Sequence, residues 1–334
     1  MTTPETEFRS DQQIAIDFLS YLRSNLAEDA AYEVTPTRLT GGMDAQIYRY
    51  KLVGQDPRVL RILRPAREEE ELLGQQFIHK VLNKHGVNTP VIHTVCSNRS
   101  ILGGVFAIMD LLPGESLTAQ TSEVQINILG ESMAKLHELD VIPIIEELRR
   151  AGVGDELYLS PAVYQKYLDF ANENLPWASE LVDWLRDHLP LAEQDLSVIH
   201  GDYHAGNLIV DKGSLTGLLD WNFCIADPAS DLANMMNNIL IFVPQISVDI
   251  PLDQLEKGVT EVLKVYQAIR PINHERIKTF RVLHLLKILH FSTHYPTSSP
   301  EFMRSPESQL DYAVFIEQTT GLNVRSVALA PPAA

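Results

Sequence analysis

The sequence runs to 334 residues, 45% hydrophobic and 21% charged, a size and balance that predict a folded protein of two packed parts and exclude a largely disordered chain. Twenty-seven basic against 44 acidic side chains give a net charge of −17, which would repel a nucleic-acid backbone, and no apolar run approaches the ~20 residues needed to cross a bilayer. Two cysteines, Cys96 and Cys224, are too few for a disulfide framework and lack zinc-ligand spacing, so a reducing, cytoplasmic setting is expected.

The N-terminal stretch lacks the basic start and apolar run of a secretory leader, and no export is expected. Apolar residues at helical spacing (Ile14, Ile16, Phe18, Leu19, Leu22) predict a helix over Phe8 to Leu26, and alternation predicts strands over Gln46 to Tyr50 and Arg58 to Leu63. Glu68 to Lys84 reads as a helix, acidic in its first turn and closed by Gly86. A strand pair follows at Val91 to Val95 and Val105 to Leu111, before Pro113 and Gly114 break the pattern. Beyond this breaker helical periodicity dominates, over Val124 to Leu139, Tyr164 to Asn172, Ala178 to His188, Ser230 to Phe242, Leu252 to Ala268, Glu275 to Thr293 and Gln309 to Thr319. The expected exception is one hairpin between Asn207 and Asp220, turning at Asp211 to Ser214. The domains expected are therefore residues 1–112 and 113–325, with 326–334 a disordered tail. Charge divides unevenly between them. Residues 1–112 hold 12 basic and 14 acidic side chains, leaving 15 and 30 for the rest, which would favour a cationic ligand or simply keep the surface soluble.

The segment His200-Gly201-Asp202-Tyr203-His204-Ala205-Gly206-Asn207, followed by Leu218-Leu219-Asp220-Trp221, carries the most chemistry. Phosphoryl transfer needs one carboxylate to orient a hydroxyl, and an amide oxygen with a second carboxylate to hold magnesium against a triphosphate. Asp202, Asn207 and Asp220 supply those groups, and the interval from Asp202 to Asn207 equals that of the protein-kinase catalytic loop. Any one of these residues alone would be read as a turn former. A second reading puts His200, Asp202 and His204 on one strand face as direct metal ligands of a hydrolase, but it leaves Asn207, Asp220 and the hairpin without a role. In the first half, Gly41 and Gly42 precede a strand and would let backbone approach phosphates.

These motifs resemble those of aminoglycoside phosphotransferases and their relatives, the choline and homoserine kinases. HGDYHAGN and LLDW are similar to that family's HGDxxxxN and IDW signatures, and Asp227-Pro228-Ala229-Ser230-Asp231-Leu232-Ala233 to its GDPxxDLA run, with Ala226 in place of the usual Gly. The resemblance implies an α+β, bilobal, protein-kinase-like fold, with an antiparallel sheet and helices in the first lobe and a mainly α-helical second lobe. It implies ATP and Mg2+ as cofactors, a hydroxyl-bearing small molecule as acceptor, Asp202 as base, Asn207 and Asp220 as metal ligands, and His200 as a brace. By the same match Arg61 would contact phosphate, the Asp110 carbonyl and Leu112 amide would face adenine, and Met109 would lie behind the base. Where the family places a Glu to hold the cation this chain has Gln75, with Glu71 one turn earlier on the same face. Leu136-His137 also matches a family pair, although a packed core histidine explains it as well. A catalytically silent nucleotide-binding module is the alternative function, and oligomeric state is not written in the sequence.

Overall fold

The computed structural model describes residues 9–39, 45–63, 69–189, 195–246, 250–294 and 305–324. Its chain divides into two compact units, residues 1–113 and 114–334.

In the first unit, helix α1 (Asp11–Asn25) starts at Ser10, whose hydroxyl accepts from the Gln13 N–H at 3.3 Å, and it buries Ile14, Phe18 and Leu22 along one face. Five strands follow: β1 (Tyr32–Arg38), β2 (Ala45–Leu52), β3 (Arg58–Leu63), β4 (Ile92–Cys96) and β5 (Phe106–Asp110). All their pairings are antiparallel, in the order β1-β2-β3-β5-β4. Period-two alternation splits the sheet into two apolar faces. Tyr48, Tyr50, Leu60, Ile62, Phe106 and Ile108 pack with α1, while Val59, Leu63, Ala107 and Met109 pack with Leu72 of helix α2 (Glu69–Lys84). Arg61 falls between Val59 and Leu63, so alternation puts it on the α2 face. A one-turn helix α3 (Arg99–Leu102) joins β4 to β5.

The second unit is mainly helical: α4 (Ser122–His137), α5 (Val141–Arg150), α6 (Ala162–Asn174), α7 (Ser179–His188), α8 (Ala229–Asn237), α9 (Val243–Ile246), α10 (Leu252–Gln267), α11 (His274–His294) and α12 (Pro306–Thr320). A π-helical turn, Asn238–Phe242, joins α8 to α9. Helix α4 packs on α10, and α8 on α11. Two small sheets interrupt the helices. One has the order β6-β8-β9, from β6 (Glu115–Ser116), β8 (Leu208–Asp211) and β9 (Ser214–Leu218); the other pairs β7 (Ser197–Ile199) with β10 (Cys224–Ala226). The expectation of a single hairpin in this half is thereby corrected. The strands β6, β7 and β10 are two or three residues long, too short for alternation to register. Helix α5 was also not foreseen; its Pro143 sits in the first turn, where no intrahelical N–H is required.

The hairpin turn is of the tight two-residue kind, with Lys212 (φ 50°) and Gly213 (φ 78°) both left-handed between the paired Asp211 and Ser214. At the start of the unit Gly114 has φ 113°, and a Cβ there would lie 2.2 Å from the Val210 carbonyl oxygen, so the Pro-Gly break is sterically fixed where β6 meets β8. Among the described residues no helix is long and apolar enough to cross a membrane.

Candidate active site

Strand β7 ends at Ile199 and delivers the chain into the loop 200–207. The loop's backbone is held by one carboxylate. Asp231, fully buried in α8, accepts the His200 N–H at Oδ2 and the Gly201 N–H at Oδ1, both at 2.8 Å. The same Oδ2 faces Nε2 of buried His137 at 3.2 Å, and His137 Nδ1 accepts from the Tyr266 hydroxyl at 2.9 Å. Burial alone would raise the Asp231 pKa, but these bonds and the neighbouring imidazoles outweigh it and hold the carboxyl below its ordinary value. His137 thus belongs to the clamp, a role that a packed core histidine did not suggest. Its carbonyl oxygen receives the Ser197 hydroxyl and Arg270, joining α4 to β7.

His200 ties the loop to the far end of the hairpin. Its Nδ1 accepts from the Asp202 N–H at 3.2 Å, which leaves Nε2–H to donate to the Leu219 carbonyl at 2.8 Å. Burial lowers the His200 pKa, as suits this neutral ring. Both ring nitrogens are committed and β7 has already ended, so the strand-face metal reading of His200, Asp202 and His204 fails on geometry. Two backbone bonds complete the bracket: Leu219 N–H to Asn207 O and Asn222 N–H to His200 O, each 2.8 Å. Asp220 is held between them. It lies past the end of β9 with φ 53°, a left-handed backbone that costs strain in a non-glycine residue, and not on the strand itself as the sequence had suggested.

Asp202 and Asn207 meet directly. Asn207 Nδ2 donates to the Asp202 carbonyl at 2.9 Å and to Asp202 Oδ2 at 3.1 Å, which turns the amide so that its Oδ1 is left as an acceptor. His204 approaches the same carboxylate oxygen, Nε2 to Oδ2 at 3.5 Å, while its Nδ1 accepts from the Gly206 N–H. Burial pushes the Asp202 pKa up, but His204, His200 and Asn207 together hold it below the usual value, so this carboxylate is charged. The sequence had given His204 no role beyond the loop; its position two residues after Asp202 was the available signal.

Gly201 is required by its surroundings. It has φ 80°, and a Cβ would lie 2.3 Å from the Asn222 carbonyl oxygen. Gly201→Ala should therefore lower the melting temperature by several degrees, corresponding to about 1–3 kcal/mol, and should displace Asp202; calorimetry and turnover of the variant read both effects.

Asp227 occupies the first turn signal of α8, accepting the Ala229 N–H at 2.9 Å and pairing with Arg276 at 2.7 Å. Of the two acids in the DPASD run, Asp231 ties α8 to the loop and Asp227 ties its start to α11.

In the first unit, Arg61 Nη1 donates to Gln75 Oε1 at 3.1 Å, so the neutral amide stands where an acid was looked for. Met109 is buried on the same sheet face, opposite Val59. Asp110 closes β5: its N–H donates to the Val91 carbonyl at 3.0 Å and its carboxylate meets His93 at 2.6 Å, on the sheet face away from Met109. Leu112 follows outside the ladder. Gly41 and Gly42 lie outside the described residues.

The model of the Phosphotransferase enzyme family, APH, matches residues 35–266, which include the loop, the hairpin and α8. The chain belongs to that family. As a member the chain shares its fold with solved structures. It superposes with a TM-score of 0.61 on a Ralstonia eutropha JMP134 protein provisionally named an aminoglycoside phosphotransferase, at 20% identity over 92% of this chain and 97% of that one. The TM-score is 0.58 for a thermostable variant of aminoglycoside phosphotransferase APH(4)-Ia in ternary complex with AMP-PNP and hygromycin B, at 16% identity over 95% and 100% of the two chains. These likenesses establish the protein-kinase-like α+β fold. In sequence, the chain is 26% identical over 169 residues to acyl-CoA dehydrogenase family member 10 of Mus musculus, covering 47% of this chain and 16% of that protein. It is 24% identical over 237 residues to acyl-CoA dehydrogenase family member 11 of the same species, covering 65% and 30%. The chain thus spans less than a third of the length of these curated relatives.

Proposed function

We propose that this phosphotransferase is an ATP-dependent kinase that phosphorylates a hydroxyl of a small molecule, with Asp202 as base. One observation carries the reading. Asn207 spends its amide N–H on Asp202, and its own backbone carbonyl holds the strand end that presents Asp220, so base and both candidate metal ligands form one braced unit. A donor set of an amide oxygen and a carboxylate suits a hard divalent cation such as Mg2+. When bound, that ion neutralises charge on the phosphates. The protein's own part is to fix the ligands and to receive a proton. As the acceptor oxygen bonds to the γ-phosphorus and the bond to the bridging oxygen breaks, releasing ADP, Asp202 takes the hydroxyl proton.

The first unit supplies the nucleotide contacts in this proposal: Arg61 for phosphate, Asp110 and Leu112 backbone groups for the base, and Met109 behind it. Gln75 accepts from Arg61 as a neutral amide, a contact that orients the guanidinium without cancelling its charge. The surplus of acidic residues in the second half would draw amine-bearing alcohols towards it at long range.

Titration calorimetry with ATP at fixed Mg2+ tests the assignment of the metal ligands. Loss of mere supporting groups around metal ligands costs about 10–100-fold in affinity, so Asp220→Ala should weaken Mg2+-dependent nucleotide binding by at least that much. Unchanged binding would remove Asp220 from the site. Tight MgATP binding with no ADP formed on any hydroxylated acceptor would instead favour a silent binding module.

A further inference from the structure

A second cluster of polar groups lies beside the loop, between α6, α11 and β10. The Lys287 ammonium sits over the rings of Tyr167 and Tyr164, 5.1 Å and 5.6 Å from their centroids. Among the described residues no carboxylate pairs with it. Cys224 interacts with it electrostatically, but burial pushes that thiol up to about 12, so no thiolate balances the lysine. Two further polar atoms around it, the Tyr167 hydroxyl and Nδ1 of His284, are buried without hydrogen-bond partners, and the buried Tyr164 hydroxyl has only Ser230 and Cys224 beside it. Tyr164 and His284 are 3% and 8% exposed, so water does not simply solvate them.

An unpaired cation ringed by unsatisfied donors is costly to build into a fold unless something completes it. The cluster extends towards the surface at one edge. Its rim is formed by Phe170, 43% exposed, stacking at 5.0 Å on His290, which in turn lies 6.4 Å from Tyr167. Its floor touches the catalytic loop's support: His284 Nε2 bonds Ser230 at 3.2 Å, Ser230 precedes the clamp residue Asp231, and Cys224 pairs in register with Ile199, the residue before His200. The charge of Asp202 is felt at His284, whose pKa burial pushes down to about 3, so this ring is neutral and adds no second charge.

We propose that this cluster is the acceptor-recognition subsite and that it takes an oxyanion, carboxylate or phosphate, carried by the hydroxyl-bearing acceptor, with Lys287 as the counter-charge and the two tyrosine hydroxyls as donors. The proposal rests on the kinase reading, because it names the acceptor of that reaction. It also separates long-range attraction from recognition: the surface of this half is acidic, but the group next to the loop is a lysine.

The test compares glycerate, 3-hydroxybutyrate and glycerol 3-phosphate with ethanolamine and choline, reading ADP formation. At least one oxyanion-bearing alcohol should be phosphorylated with kcat/KM about 100-fold above the amines, and Lys287→Met should remove about that factor while the KM for MgATP stays within about twofold. Tyr167→Phe, which keeps the ring, should lose about tenfold on the same acceptor. Faster turnover of the amines, or full activity of Lys287→Met on an oxyanion-bearing acceptor, overturns the proposal and leaves the kinase intact. A direct arm needs no turnover: glycerate or glycerol 3-phosphate should raise the melting temperature of the wild type with MgADP and not that of Lys287→Met. No shift in the wild type from either anion overturns the subsite. A Lys287-dependent shift without ADP formation on any acceptor would instead overturn the kinase reading and keep the subsite. Glycerate against glycerol 3-phosphate decides between carboxylate and phosphate.

Discussion

Asp202→Asn should lower kcat by about 10²–10⁴-fold while the KM for MgATP changes little, the loss expected when a positioned general base is removed. The geometry explains why the effect should fall on turnover. Among the described residues, the contacts to the Asp202 carboxylate, from Asn207 at 3.1 Å and His204 at 3.5 Å, fall on Oδ2, which leaves Oδ1 for an acceptor hydroxyl. An asparagine keeps the size and can still accept from Asn207, so the loop should hold its shape and the metal ligands their places. What disappears is the negative charge that draws the hydroxyl proton. Steady-state kinetics with the best acceptor, beside nucleotide affinity by calorimetry, separates the two. A kcat within tenfold of the wild type would exclude Asp202 as the base.

Asp231→Ala should be the most damaging single change away from the reacting groups, costing about 3–5 kcal/mol and hence about 10 °C in melting temperature. Removing the carboxylate leaves the His200 and Gly201 N–H groups buried without acceptors and takes the partner from His137 Nε2. Asp231→Asn is the informative companion, since its one amide oxygen can satisfy only part of this set, and it should fall between alanine and the wild type. The same carboxylate gives a pH signature. Its folded pKa lies below the unfolded one, so its contribution is complete above the unfolded carboxyl pKa and is lost as pH falls through the folded value. Acid unfolding of the wild type should therefore be steeper than that of Asp231→Asn. A melting temperature for Asp231→Ala within about 2 °C of the wild type would refute the clamp.

The sequence made the chemistry more legible than its supports. The spacing of Asp202, Asn207 and Asp220 could be recognised because loop and hairpin chemistry is local, and the helical periods of α4 and α10 because their buried faces repeat. The clamp was hidden because its members, His137, Asp231 and Tyr266, are far apart along the chain and each passes alone for a core residue. β7 and β10 are three residues each and exist only through their pairing, which no local pattern encodes. Lys287 gave no warning either. Helix α11 mixes Arg276, Lys278, Arg281 and four histidines with its apolar residues, so Lys287 looks like a solvated surface position until Tyr164 and Tyr167 of α6 are placed around it.

The bracket around Asp220 anchors both roots of the β8–β9 hairpin, one through the Leu219 bond to Asn207 and the other through the His200 ring. Its outer end, Lys212 and Gly213, is exposed and contributes no bond to that bracket. Engineering can use this division of labour: a short epitope or a fluorescent reporter grafted at the tip would ride on an anchored stem and leave the loop undisturbed, whereas the same insertion beside Leu219 would uncouple Asp220 from Asp202 and Asn207.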